Sequence, residues 1–315
     1  SGTELPEDIY EITAATSNRN NDGNSNRATL TSVLSRVFYS YNNKYLFTAT
    51  LRRDGSSRFA SNNRYGYFPA FSLGWNLAEE SFMKKYGWLD QLKLRGGYGV
   101  LGNQEIGNYQ YLSVVTSGLN YPNASGSLDY GSFPKTFASP SIKWEETTMT
   151  NIGVDFQAFK NRLSFTGEYY IKNTKDILLT VPIPVSTGGS NDPIRNAGKI
   201  KNSGFEFSLA WRDRANKDFS YEASIVGNIM KNEVTQMGTG TQILWGGDLS
   251  GSTWHASTTK TFQGYPIGGF WLLPTDGLFQ SDEEVQKYNK DGVLILPNAK
   301  AGDIKFRDTN DDGKI

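Results

Sequence analysis

The strongest structural pattern in the chain lies in the stretch Tyr67-Phe68-Pro69-Ala70-Phe71-Ser72-Leu73-Gly74-Trp75-Asn76-Leu77. Large apolar groups occupy one set of alternate positions: Tyr67, Pro69, Phe71, Leu73, Trp75 and Leu77. Small or polar groups occupy the other set: Ala70, Ser72, Gly74 and Asn76. Because successive side chains of a strand point to opposite faces, this period of two predicts a β-strand with one apolar and one solvated face. Pro69 cannot donate a ladder hydrogen bond, so it predicts a strand start or a bulge.

The same alternation recurs on both sides of this stretch and predicts eight strands in all. The other seven cover, in approximate bounds, residues 29–41, 45–53, 92–101, 151–158, 163–172, 205–211 and 219–229. Connections after the first, fifth and seventh strands are short, and those after the second, fourth, sixth and eighth are long. Short turns at one end and long loops at the other are typical of an up-and-down barrel. A soluble, carbohydrate-binding β-sandwich is the alternative.

Composition narrows the class of protein further. Lys plus Arg and Asp plus Glu both number 32, so the zero net charge gives no reason to expect nucleic acid as a partner. No stretch approaches the roughly 18 consecutive apolar residues of a membrane helix, which excludes a helical membrane protein. Aromatic residues make up 13% of the chain, which fits the interfacial girdles of a membrane barrel.

The chain has few of the residues and motifs that enzymes use for catalysis. Cysteine is absent and His255 is the only histidine, so thiol nucleophiles, cysteine metal sites and two-histidine metal sites are excluded. No GxSxG nucleophile motif is present. The sequence therefore predicts that the protein is not an enzyme and has no catalytic residues.

A series of motifs resembles, in family order, the barrel of the SusC/RagA family of TonB-dependent outer-membrane receptors. The most specific are Leu51-Arg52-Arg53-Asp54-Gly55-Ser56-Ser57-Arg58-Phe59, Leu92-Lys93-Leu94-Arg95-Gly96-Gly97-Tyr98-Gly99-Val100-Leu101-Gly102-Asn103, Asn202-Ser203-Gly204-Phe205-Glu206 and Gly302-Asp303-Ile304-Lys305-Phe306-Arg307-Asp308-Thr309-Asn310-Asp311-Asp312-Gly313. The resemblance covers roughly residues 30–315.

The resemblance implies an all-β fold that is part of a large antiparallel transmembrane β-barrel with long extracellular loops. About eight of about 22 strands are expected here. Residues 1–28 are predicted to be an extracellular loop, 29–230 barrel strands, and 231–315 an extracellular loop region. The plug domain of the family has no counterpart in these 315 residues, so we expect a truncated chain.

The resemblance also implies a function. Members of the family import nutrients across the bacterial outer membrane, so uptake of oligosaccharides (glycans) is expected, with peptide import of the RagA type as the alternative. A SusD-like surface lipoprotein and the TonB complex, which contacts an N-terminal part missing from this chain, are the expected partners, along with the lipid bilayer. No cofactor is required.

Two groups of residues are candidates for substrate binding. Arg52, Arg53 and Arg58 cluster where a strand meets a long loop, and they either contact substrate or brace the barrel wall through salt bridges. The second group is aromatic and comprises Trp245, Trp254, Tyr265 and Trp271. Such rings stack on sugars, pack loops or seat a partner protein, and the sequence does not separate these roles.

The segment Asp308-Thr309-Asn310-Asp311-Asp312-Gly313 matches the first half of a calcium loop. Asp308, Asn310 and Asp312 would supply oxygen ligands at positions one, three and five, and Gly313 would permit the sharp turn at position six. The alternative is a solvated Asp/Asn turn, which uses the same residue types. A Ca²⁺ site is therefore an expectation at these three residues.

Overall fold

A computed structural model of the chain describes residues 25–181, 183–184, 186, 191–238, 243–248 and 257–315. The chain divides into two compact units, Ser1–Gln242 and Ile243–Ile315. Among the described residues, none of the helices is long and apolar enough to cross a membrane.

Strands dominate both units. The described strands of the first unit are β1 (Leu30–Tyr41), β2 (Tyr45–Ser56), β3 (Tyr65–Asn76), β4 (Leu89–Asn103), β5 (Val114–Pro122), β6 (Leu128–Thr136), β7 (Glu145–Ala158), β8 (Leu163–Lys175), β9 (Leu178–Thr180), β10 (Ile194–Asn196), β11 (Lys199–Arg214) and β12 (Ser220–Gln236). The second unit holds β13 (Ile243–Asp248), β14 (Ser257–Phe262), β15 (Gly269–Phe270), β16 (Thr275–Leu278), α1 (Asp282–Lys287), β17 (Asn289–Lys290), β18 (Val293–Leu294) and β19 (Ile304–Phe306). A 3-10 turn covers Leu77–Glu79.

One antiparallel sheet organises the first unit, in the order β1-β2-β3-β4-β7-β8-β11-β12. Each strand pairs with the next one of the meander, so the predicted eight strands and their order are confirmed. A β-sandwich needs two packed sheets of several strands. The other described sheets of this unit have two strands each, which excludes the sandwich alternative.

The two faces of the sheet differ as the alternation predicted. Tyr67, Phe71 and Leu73 of β3 lie on one face with 59%, 48% and 63% of their surface exposed. Neighbours in register continue this face, since Phe47 of β2 pairs with Leu73, and Tyr98 of β4 pairs with Phe71. Large exposed apolar groups along a whole face are costly in water and favourable in a bilayer. We call this the outward face and the opposite one the inward face.

Pro69 lies inside a strand, and the expectation of a strand start or a bulge there is wrong. The strand β3 begins at Tyr65, and its register with β2 runs without a shift past the Leu51–Pro69 pair. On its other side, β3 pairs with β4 only from Ala70 to Asn76. The proline therefore lies just beyond the end of that ladder, where no amide hydrogen is needed.

Aromatic rings line the end of the sheet at which the short turns lie, which we call the turn end. Two series of neighbouring rings are present: Tyr41–Tyr45–Trp75, with centroids 6.5 and 6.4 Å apart, and Trp88–Phe159–Trp211, with centroids 6.0 and 6.3 Å apart. Such a belt of amphipathic rings is typical of the membrane–water interface of a barrel.

The opposite end of the sheet, the loop end, is more structured than expected. Residues 102–143 contain the hairpin β5–β6, which the sequence did not reveal. Its register shifts twice, between Val114 and Val115 and between Ser117 and Leu119, so no sustained alternation marks it. The sheet also extends to Gln236, past the predicted limit at residue 230. Of the predicted loop at residues 1–28, only residues 25–28 are described.

Candidate functional site

The inward face carries a charged network centred on Arg95 of β4. Its Nε lies 3.3 Å from Asp155 Oδ1 on β7, and its Nη1 donates to Glu168 Oε2 on β8. The side chain of Asn151 donates to the second oxygen of Glu168 at 3.0 Å. One guanidinium thus serves two carboxylates on neighbouring strands, which ties three strands together through charge-assisted hydrogen bonds.

Two glycines make room for this network. Gly153 pairs with Arg95 in the register, and a Cβ at Gly153 would lie 2.8 Å from Arg95 Cζ. A Cβ at Gly97 would lie 2.5 Å from Asn151 Oδ1. Real Cβ atoms do not approach so closely, so an added side chain at either position would push Arg95 or Asn151 off the wall. Glycine at both positions therefore lets these polar side chains lie flat against the sheet.

Further charges extend the inward surface along the strands. Lys93 pairs with Asp155, and Glu206 of β11 lies directly opposite Glu168. Around Arg95 the wall forms a depression of about 300 Å³, lined among others by Thr48, Ser72, Lys93, Arg95 and Asn151. This surface is suited to contact a hydrated, polar solute.

The loop end is held by a small apolar core, which we call the loop cluster. Its members are Phe59, Phe68, Ile106, Ile142 and Trp144, each at most 7% exposed. The Trp144 ring lies 5.2 Å from Phe59 and 5.4 Å from Phe68, measured between centroids. Its indole nitrogen donates to the Arg64 carbonyl at 3.1 Å. The cluster therefore fixes three connecting segments over the end of the sheet, against Phe68 of β3.

A polar cavity of about 470 Å³ lies beside this cluster. Lys143, Asp176, Arg195 and Asn196 contribute to its lining. The Lys143 ammonium lies 2.8 Å from Asp176, and the Asn196 amide donates to the carbonyls of Lys143 and Asp176 at 2.8 Å each. Sequence reasoning missed this cavity, because its residues come from three separate segments of the chain and form no motif.

The three predicted arginines are not brought together at one site. Arg52 faces inward and donates to the buried Asp54 at 2.7 Å. Arg53 lies on the outward face, with its guanidinium carbon 3.9 Å above the Tyr65 ring. Arg58 donates to the Gln104 carbonyl at 3.1 Å and so joins two loops. These contacts favour the bracing role for Arg52 and Arg58, and their role in substrate binding stays a prediction.

Of the predicted aromatic residues, Tyr265 and Trp271 are described with their side chains, and both lie in the second unit. Tyr265 and Trp271 flank Phe262, at 3.9 and 5.8 Å between ring centroids, and each is 52% exposed. The Lys260 ammonium lies 3.9 Å from the centre of the Trp271 indole. Trp245 belongs to β13, whose side chain at this position is not described, and Trp254 lies outside the described residues.

The predicted calcium segment folds into a tight loop around Asp308. The carboxylate of Asp308 accepts backbone hydrogen bonds from Gly313 at 2.7 Å and from Asn310 and Asp312 at 3.3 Å. Burial acts to raise the pKa of Asp308, but these amides outweigh it and lower the pKa. Asp311 takes a positive φ of 54° and Gly313 one of 85°, which gives the sharp turn. The Asn310 amide donates to Asp312 at 2.9 Å.

Calcium binding by this loop stays a prediction, and titration with Ca²⁺ tests it. If Asp308, Asn310 and Asp312 are ligands, the full-length protein is expected to bind Ca²⁺ in isothermal titration calorimetry, and Asp312→Ala is expected to weaken binding at least tenfold. Asp291→Ala, which also changes a turn aspartate of the second unit, is the matched control. A solvated turn alone predicts no calcium heat in either protein.

At the turn end, Glu80 is held by three donors. Its carboxylate accepts from Lys44 at 2.9 Å, from the Tyr45 hydroxyl at 2.8 Å and from the Trp75 indole at 3.1 Å. These hydrogen bonds, first that of Lys44, then those of Tyr45 and Trp75, lower the pKa of Glu80 to about 2. The ionised carboxylate therefore anchors the aromatic belt to the first two turns.

The lowered pKa of Glu80 predicts that the stability of the folded protein depends on pH in the acid range. The pKa of about 2 in the folded protein lies below the ordinary glutamate pKa of 4.5, so the unfolded chain binds the proton more tightly. The stabilisation is present in full above about pH 4.5 and is lost as pH falls towards 2. Thermal unfolding of full-length protein is expected to show this acid loss, and Glu80→Gln is expected to flatten it. An unchanged acid slope in the variant would contradict the role of Glu80.

Comparison with known proteins places the fold in a family. A family model described as "TonB dependent receptor-like, beta-barrel" matches residues 4–303. TonB-dependent receptor P39 of Formosa agariphila is 36% identical over 86% of this chain and 24% of the relative. TonB-dependent receptor SusC of Bacteroides thetaiotaomicron is 40% identical over 67% of this chain and 21% of the relative. The solved RagAB peptide transporter matches with a TM-score of 0.68 at 30% identity, over 80% of this chain and 26% of that chain.

The meandering antiparallel sheet, apolar on its outward face and charged on its inward face, is a section of the wall of a transmembrane β-barrel. The chain belongs to the TonB-dependent receptor β-barrel family. It spans about a quarter of the length of the curated relatives it matches. These relatives are receptors by name, which agrees at the family level with the prediction that the chain is not an enzyme.

Proposed function

We propose that the chain forms part of a TonB-dependent importer in the bacterial outer membrane. The observation that carries the proposal is the division of the eight-stranded sheet into two faces. Tyr67, Phe71 and Leu73 expose apolar surface outward, whereas Arg95, Asp155 and Glu168 form a charged network inward. A wall of this kind suits lipid on one side and a polar solute on the other.

Oligosaccharides are the proposed substrates. Two features support this choice: the polar cavity beside Asp176 and Arg195 at the loop end, and the half-exposed rings of Tyr265 and Trp271 in the second unit. Aromatic faces of this kind stack on the apolar faces of sugar rings. Peptides are the second candidate, favoured by the match to the RagAB peptide transporter.

Two partners complete the proposal. A SusD-like surface lipoprotein would cover the loop end, and the TonB complex would supply energy through a part of the receptor outside these 315 residues. We place residues 1–28 and 231–315 on the extracellular side. Phe270, which is 82% exposed beside Trp271, supports a protein partner on the second unit.

Uptake by intact cells tests this proposal. A strain lacking the full-length receptor is complemented with the wild-type gene, and uptake of a set of fluorescent oligosaccharides and peptides is measured. We expect complementation to restore oligosaccharide uptake, and dissipation of the proton-motive force to abolish it. A matched pair of variants is Trp271→Ala, in the proposed sugar surface, and Phe219→Ala, an exposed ring at the turn end.

The outcomes separate import from substrate identity. Energy-dependent uptake of peptides alone would support the importer and reject the oligosaccharide proposal. Uptake that is unchanged by loss of the receptor or of the proton-motive force would reject TonB-dependent import. Equal uptake by the Trp271→Ala and Phe219→Ala variants would exclude Trp271 from sugar recognition.

A further inference from the structure

A group of lysines lies on the outward face towards the loop end. Lys199 and Lys201 of β11 share that face with Phe205, since they alternate with it along the strand. Lys175 of β8 pairs with Lys199, and Lys231 lies on the adjoining strand β12 with Ser203 opposite. The four ammonium groups therefore lie on one surface of three neighbouring strands, which we call the lysine patch.

Measured along β11 from the aromatic belt at the turn end, the lysine patch lies at the opposite edge of the apolar band. Trp211 marks the aromatic belt at the turn end through its contact with Phe159. Between Trp211 and Lys201 the outward positions of β11 are Leu209, Phe207, Phe205 and Ser203. Ten residues of strand span about 33 Å, which is about 25 Å of height at a tilt of about 40°. This is the thickness of the apolar band of a membrane barrel, so the patch lies at the level of lipid headgroups.

Charge on this surface is unbalanced. Lys175 pairs with Glu146 at 2.9 Å, and Lys231 pairs with Glu233 at 2.9 Å. Within the described part of the chain, Lys199 and Lys201 are exposed and form no ion pair. Lys201 lies directly opposite Glu233 in the register, and Lys199 lies opposite Lys175. The four lysines of the patch therefore face two carboxylates, Glu146 and Glu233, and the surface keeps an excess of positive charge. Lysine side chains at this level do not contribute to packing of the barrel wall, because they project away from the sheet into the membrane interface.

Another cation on the outward face lies at the loop end of β2. Arg53 lies outward at the loop end of β2, stacked over Tyr65 at 3.9 Å and within 5.8 Å of Tyr67. Tyrosine rings of this kind are typical of the headgroup level. The lysine patch, by contrast, lacks aromatic partners in the register, and its excess positive charge can attract an anion.

We infer that the lysine patch binds the phosphorylated headgroup of an anionic lipid in the outer leaflet. Phosphate offers several strong acceptor oxygens, and ammonium groups on adjoining strands can approach one headgroup from two sides. A lysine near a charged membrane surface contributes about 1 kcal/mol to the attraction, which is about fivefold in affinity. This lipid site lies on the outside of the wall and is independent of the imported substrate.

Native mass spectrometry of the full-length receptor tests the site. The receptor is released from detergent micelles that contain phosphatidylglycerol or phosphatidylcholine, and bound lipids are counted. We expect preferential binding of phosphatidylglycerol, and a roughly tenfold or greater loss of that binding in the double variant Lys199→Gln/Lys201→Gln. The charge-retaining variant Lys199→Arg/Lys201→Arg is expected to keep it.

Lys172 provides the matched control, because it lies on β8 next to the patch but on the inward face, opposite Asn202. Lys172→Gln is expected to leave lipid binding unchanged. Equal binding of the two lipids by the wild-type receptor would overturn the inference. An equal loss in the Lys172→Gln variant, or no loss in the glutamine double variant, would also overturn it. The arginine variant separates loss of charge from failure to fold.

Discussion

Replacing Trp144 with alanine is expected to destabilise the loop cluster by about 3–5 kcal/mol. Trp144 is only 5% exposed and packs its ring against Phe59 and Phe68, so truncation leaves a large cavity. It also removes one of the two hydrogen bonds that the Arg64 carbonyl accepts and leaves the one from a backbone amide. Hydrogen exchange of full-length protein checks this. Amides at Phe59 and Asn63, whose backbone hydrogen bonds close the adjoining loop, are expected to exchange at least a hundredfold faster.

A control variant distinguishes cavity formation from general loss of an aromatic group. Trp271→Ala removes a ring that is 52% exposed in the second unit, so its effect on those two amides is expected to be within a few tenths of a kcal/mol of zero. Unchanged protection at Phe59 and Asn63 in the Trp144→Ala variant would mean that the loops are held by other contacts.

Replacing Arg95 with methionine is expected to lower the free energy of unfolding by about 2–3 kcal/mol. Removing one partner of a fully buried ion pair costs about 3–5 kcal/mol. Here the side chains of Asp155 and Glu168 are 26% and 18% exposed, so solvent screens part of the repulsion that follows. Glu206, directly opposite Glu168, adds to that repulsion. Urea unfolding of full-length receptor, followed by tryptophan fluorescence, measures the difference.

Rescue by charge removal is the decisive control for Arg95. If the loss comes from unpaired carboxylates, the triple variant Arg95→Met/Asp155→Asn/Glu168→Gln is expected to recover most of the stability. A triple variant as unstable as Arg95→Met would instead assign the loss to packing of the arginine side chain against the wall at Gly153.

The sheet was predictable from the sequence because its physical signal is local. Alternation along β3 places Phe71 and Leu73 on one face and Ser72 on the other. A period of two that is sustained over this many residues indicates a β-strand and no other regular structure. Turns reinforce it, since Asn42 and Asn43 take the positive φ values of 50° and 56° that a tight hairpin needs. The strand order followed from connection lengths.

The loop end was less predictable, because its contacts join distant segments. Phe68 breaks the alternation of β3 as a large ring on the inward face, and only the structure shows that Trp144, from a loop 76 positions away, packs on it. The hairpin β5–β6 lacks a regular register, so no period marks it. Arg52 and Arg53 are adjacent in sequence yet face opposite sides of the wall, as strand geometry requires.

Accessibility along β3 tests the central claim that this sheet is a two-faced barrel wall. The 315 residues contain no cysteine, so a thiol introduced at one position is unique in the segment. Four variants of the full-length receptor in lipid bilayers suffice: Phe71→Cys and Leu73→Cys on the outward face, Ser72→Cys and Asn76→Cys on the inward face. Each is treated with a lipid-soluble and with a charged, water-soluble thiol reagent.

The two-faced wall predicts a period of two. Thiols at Phe71 and Leu73 are expected to react with the lipid-soluble reagent and to resist the charged one, and thiols at Ser72 and Asn76 are expected to show the reverse. Equal labelling of all four positions by the charged reagent would contradict the account, because it would place both faces of β3 in water.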